Sequence, residues 1–135
     1  RGNGAKYVLP IVGPYGPDGS LRIALAGGLE QLEILDPTGG RRAMAPTGSI
    51  YERQFAGPAV VRRPDGGWSL GILTNQGVFH CQDLSDGRDR WKLDTEVKPT
   101  GPTRVVSGDL DGDGREEFLV GLADGTLLAL GEENG

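Results

Sequence analysis

An all-β fold built from a repeated four-stranded unit is what this sequence predicts, and three observations predict it. Glycine and proline are abundant and dispersed, 24 Gly and 9 Pro in 135 residues. Short clusters of Val, Ile and Leu lie between them, the pattern of short strands joined by tight turns. No stretch keeps a helical hydrophobic period. Most tellingly, Asp-Gly pairs recur in phase at Asp18-Gly19, Asp65-Gly66 and Asp113-Gly114, 47 and 48 residues apart. Five residues after each Asp stands an apolar residue (Ile23, Leu70, Phe118), and twenty-two after each stands another glycine (Gly40, Gly87, Gly135). The chain is a repeat protein.

The repeat divides the chain into units at approximately 5–52, 53–100 and 101–135. In the first, strands are expected over Tyr7–Val12, Leu21–Ala26 and Leu29–Leu35, with a weaker one around Arg42–Met44. The second has Ala59–Arg62, Trp68–Leu73, Val78–Asp83 after a turn at Asn75-Gln76-Gly77, and Arg88–Asp94 carrying Trp91. The third has Arg104–Ser107, Phe118–Leu122 and, after Asp124-Gly125, Thr126–Leu130. Asp-Gly and Asn-x-Gly turns supply the positive backbone dihedrals that hairpins need. Four short antiparallel strands per repeat of about 40 to 50 residues is the arrangement of a β-propeller blade. The third unit reaches Gly135 just where its fourth strand should begin. Dividing 135 residues by 48 gives about 2.8 blades, against the roughly four to eight of a closed ring. A fragment of a larger propeller is therefore expected, with assembly of several copies as a homo-oligomer or an open stack as the alternatives. The start at Arg1, without a methionine or signal peptide, reads as a mature or excised segment.

A formal net charge of −5 argues against nucleic acid, which demands a basic footprint. The pairs Arg41-Arg42 and Arg62-Arg63 read as solvated strand ends. No apolar run is long enough to span a membrane as a helix. Cys81 is the only cysteine, so no internal disulfide forms, and it reads as a small strand residue. His80 is the only histidine, which excludes a histidine-cluster zinc site and leaves little for a catalytic triad.

The chemistry concentrates in Asp109-Leu110-Asp111-Gly112-Asp113-Gly114-Arg115-Glu116-Glu117. Carboxylates this close repel one another and raise one another's pKa unless a cation intervenes. Calcium, a hard ion, prefers such a cage of oxygen ligands. Acidic groups at the first, third and fifth positions with glycine at the sixth match the EF-hand loop. The twelfth position, however, is Val120 where an EF-hand needs a bidentate Glu, and Phe118-Leu119-Val120 reads as a strand. Calcium chemistry on a hairpin is the expectation. The aligned Asp18 and Asp65 lack companion carboxylates and are expected to be plain turns.

The segment Ser107–Gly121 resembles an FG-GAP (VCBS-type) repeat of the integrin α-subunit propeller family, found also in bacterial surface proteins and polysaccharide lyases. That resemblance implies a calcium loop between the first two strands of a blade. It implies as ligands the side chains of Asp109, Asp111 and Asp113, the backbone carbonyl of Arg115 and the side chain of Glu117, where Asp is more usual in the family. Glu116 should point the other way, into solvent. Asp83–Trp91 is similar to the end of a quinoprotein-type (PQQ-like) propeller repeat. There a Trp four residues after a Gly docks between neighbouring blades; Trp91 fits this role and Met44 is its aligned counterpart.

The function these readings imply is a calcium-stabilised, non-catalytic binding or scaffold module. It would contact a protein or carbohydrate ligand, or further blades of a parent propeller, through inter-blade loops such as 95–102. Its location would be extracellular, cell-surface or periplasmic. The alternative is the propeller part of a polysaccharide lyase or quinoprotein-like enzyme. No constellation of acid–base groups favours catalysis, and Trp68 reads as packing rather than as a sugar platform.

Overall fold

The computed structural model describes residues 9–26, 31–46, 54–101 and 103–131. Eleven strands form three antiparallel sheets among these residues. The first holds β1 (Leu9–Gly13), β2 (Arg22–Ala26), β3 (Gln31–Leu35) and β4 (Arg41–Pro46), in that order. The second holds β5 (Gln54–Arg62), β6 (Trp68–Thr74), β7 (Val78–Asp83) and β8 (Asp89–Asp94), again in chain order. The third holds β9 (Val105–Gly108), β10 (Glu117–Gly121) and β11 (Leu127–Gly131). The expected strands are thus present, with β5 beginning earlier than the sequence pattern marks and β4 longer. The expected strand residues Tyr7, Val8, Leu29 and Glu30, the side chain of Met44, Pro102 and the chain end at Gly135 lie outside what is described.

The turns form for a local reason. An Asp carboxylate accepts the backbone N–H two residues on, which closes an Asx-turn. Asp18 does this to Ser20, Asp36 to Thr38, Asp65 to Gly67 and Asp124 to Thr126. Each hairpin then returns the chain at the register its loop length dictates.

Burial follows strand alternation. On β6, Leu70 and Ile72 face the first sheet, where they pack with Tyr15, Ala24, Ile34 and Leu84. Leu73 faces the third sheet with Ala59, Val61, Phe79, Cys81, Phe118 and Val120. The middle sheet is covered on both faces, so Ser69 to Thr74 are all buried, whereas β10 alternates, as expected of a strand covered on one face. Cys81 is buried in this core. Trp91 packs against the cluster between the second and third sheets, its ring stacked on Phe79 at 5.6 Å. The outward faces of the two flanking sheets carry exposed apolar residues, Val12 (59% exposed) on one and Leu127 (66%) on the other.

Candidate metal centre

The loop between β9 and β10 is folded by its own carboxylates. Asp109 accepts three backbone N–H groups, from Gly112 (2.8 Å) and Asp113 (3.1 Å) on Oδ1 and from Gly114 (2.8 Å) on Oδ2. Asp111 accepts from the Asp113 amide at 3.1 Å, and Asp113 from the Arg115 amide at 2.8 Å. Glu117, at the start of β10, reaches back to accept the Leu110 amide at 2.8 Å. Gly112 and Gly114 have φ of 79° and 88°, backbone that favours glycine. The Arg115 amide, foremost, holds the Asp113 carboxyl below the usual carboxylate range.

These bonds converge the acidic groups. Asp109, Asp111, Asp113 and Glu117 each offer an oxygen, and the four atoms lie within 4.8 Å of one another. Oxygens bound to one calcium at about 2.3–2.6 Å are at most roughly 5 Å apart, so the quartet is compact enough for a single ion. All four donors are hard carboxylate oxygens, which suits calcium or another hard cation rather than a soft metal. The three aspartates are exposed and Glu117 is half-buried. Arg115, expected to add its carbonyl, is an exposed loop residue between Asp113 and Glu117. Among the described residues this is the one cluster of its kind.

Two expectations are corrected here. Glu116 does not point into solvent: it is half-buried, and its carboxylate accepts the Arg62 amide of the second sheet at 2.7 Å. The alternation was right, but residues 116, 118 and 120 share the face that covers the neighbouring sheet. Nor is Arg63 a solvated strand end, its side chain being only 9% exposed. Its guanidinium contacts Asp65 (3.2 Å) and Asp83 (3.4 Å) and donates to the Trp68 carbonyl and Ser69 hydroxyl, both at 3.0 Å. Arg62 is exposed and lies over the Trp68 ring at 5.5 Å, and Arg42 pairs with Asp36 at 3.1 Å.

Sequence reasoning missed one polar pair. His80, fully buried on β7, has Nδ1 3.0 Å from the Asp89 carboxylate across the hairpin. Their places on the successive expected strands Val78–Asp83 and Arg88–Asp94, nine residues apart, were the available signal. At the end of the sheets opposite the acidic loop, a cleft of about 290 Å³ opens between the second and third sheets, lined by Leu73, Val97, Pro99, Thr103 and Leu122. The connector beside it is anchored by Thr95, which bonds the Gly77 carbonyl at 2.6 Å.

No protein-family model matches the chain, and no curated protein matches it in sequence. The crystal structure of BamB from Moraxella catarrhalis does match it, with a TM-score of 0.57 and 22% sequence identity. The match covers 89% of this chain and 33% of that one. At that identity the likeness is one of fold, and BamB is a β-propeller. This chain has the fold of β-propeller blades. Its three sheets are three successive blades, and it spans about a third of BamB's length. No helix among the described residues is long and apolar enough to cross a membrane.

Proposed function

We propose that this propeller segment is a calcium-stabilised, non-catalytic binding or scaffold module. The observation that carries the reading is the convergence of Asp109, Asp111, Asp113 and Glu117 within 4.8 Å on a single hairpin. Calcium there would neutralise the crowded carboxylates and hold the entry into β10, with the Arg115 carbonyl as a further oxygen ligand. We assign the ion a structural role, since the loop's carboxylates already fold the loop by accepting its own backbone N–H groups, and the ion would lock that arrangement. It would be one FG-GAP-like calcium blade beside blades that keep only the Asp-Gly turn.

An exposed site made from one short loop fits a weak binder, in the range of about 10⁻⁴ to 10⁻³ M typical of extracellular calcium modules. A site that weak would fill where calcium is abundant, which supports an extracellular, cell-surface or periplasmic location. The partner is a protein or glycan, and we assign its contact to the inter-blade connector and cleft opposite the calcium loop. Calorimetric titration of the EDTA-stripped chain with calcium tests the reading. Saturable binding at or below millimolar calcium is expected, and no heat of binding at that concentration overturns it.

A further inference from the structure

β5 lies at the edge of its sheet, so one row of its backbone groups lacks a strand partner, a liability that folds cover in some way. Here side chains of the next blade cover it. Ser107 on β9 donates its hydroxyl to the Val60 carbonyl at 2.9 Å. Glu116 accepts the Arg62 amide at 2.7 Å, 54 residues away. Residues two apart on a strand present their backbone groups to the same edge, so Val60 and Arg62 receive these two side chains side by side. Hydrogen bonds to a charged acceptor are the stronger kind, which makes Glu116 the principal polar link between the two blades at this edge.

Glu116 also sits inside the acidic loop's frame. The residue before it, Arg115, donates its amide to Asp113, and the residue after it, Glu117, carries the fourth carboxylate of the quartet. An ion held by Asp113, the Arg115 carbonyl and Glu117 would therefore fix the backbone on both sides of Glu116, and with it the direction of that side chain. We propose that Glu116 makes the junction between the second and third blades cation-sensitive: occupancy of the loop positions its carboxylate on the Arg62 amide, and loss of the ion loosens the link. This rests on the calcium reading of the loop. The mechanism is local ordering, since a backbone already fixed by the ion has less conformational entropy to lose when the cross-blade bond forms.

Native-state hydrogen exchange of the whole chain, with and without calcium, tests it beside the calorimetric titration. The Arg62 amide is the reporter. The Arg63 amide, which donates to Gly67 within the same turn, is the reference for any general stabilisation. Because a charge-accepting hydrogen bond is gained or firmed, exchange at Arg62 should slow by about tenfold more than at Arg63 when calcium is added. In Glu116→Ala the calorimetric binding should persist, because Glu116 is not among the ligands, while the selective response at Arg62 disappears. Calcium binding with equal responses at Arg62 and Arg63 overturns the coupling and leaves the calcium site standing. So does a Glu116→Ala protein whose Arg62 amide still responds selectively. Absence of calcium binding overturns both readings together.

Discussion

A methyl group on Gly71 would lie 2.6 Å from the ring of Phe118, a residue of the next blade, and 2.7 Å from that of Phe79. The two rings meet over the glycine with centroids 5.3 Å apart. Phe118 is fully buried because β6 has no side chain at this point. The contact is thus a knob from one blade seated in a gap left by another. Gly71→Ala should destabilise the fold by about 1–3 kcal/mol through overpacking. Phe118→Ala should cost about 3–5 kcal/mol by emptying the same space. Urea denaturation of both variants reads these values, and a neutral Gly71→Ala would contradict the packing.

Arg63 holds the β5–β6 turn to the β7–β8 turn through Asp65 and Asp83. Its planar fork serves several acceptors at once, which a lysine cannot reproduce. Arg63→Lys is expected to lower stability by about 1–3 kcal/mol, the cost of leaving a buried acceptor unmatched. Raising the salt concentration should change that difference little, because the arginine is shielded from solvent.

Within the acidic loop, Asp109 and Asp111 should behave differently. Asp109 accepts three backbone N–H groups without any ion, so Asp109→Ala should lower the melting temperature with calcium or with EDTA. Asp111 accepts one, so Asp111→Ala should matter chiefly when calcium is present. At calcium one hundred times the dissociation constant, loss of binding removes about 2.7 kcal/mol. Thermal melts in calcium and in EDTA distinguish the two, and equal deficits for Asp111→Ala in both buffers would count against a bound ion.

Asp36 supplies a pH test. The Thr38 hydroxyl first, then the Gly40 and Thr38 amides and nearby Arg42, lower its carboxyl from 3.8 to about 2. A carboxylate with a depressed folded-state pKa contributes stability that is complete above the unfolded value and lost as pH falls through the folded one. Asp36→Asn should therefore melt below wild type at neutral pH, and the gap should close between about pH 4 and pH 2. A gap that stays constant over that window would show that the charge is not what matters.

The resemblance to a four-stranded blade could be read from residues alone because its determinants are local. The Asp-Gly spacing sets the period, strand alternation sets which residues share a face, and an Asp side chain closes each turn on its own backbone. The acidic quartet was equally accessible, since all four carboxylates lie within nine residues of sequence. Trp91 is placed between blades by the resemblance of Asp83–Trp91 to the end of a PQQ-like repeat, and its ring does stack on Phe79 there.

What needed the tertiary structure was the identity of whatever lies across each face. Alternation turns Glu116 away from Glu117, but only the neighbouring blade makes that direction a buried one ending on the Arg62 amide. A pair of arginines at a strand end looks solvated until packing of two turns encloses Arg63 and leaves Arg62 outside. His80 became a buried partner of Asp89 for a similar reason. The sequence by itself determined strands, turns and the acidic loop, because those depend on neighbours along the chain. The blade-to-blade contacts were decided by packing between residues some fifty positions apart, whose complementarity exists only once the sheets are stacked.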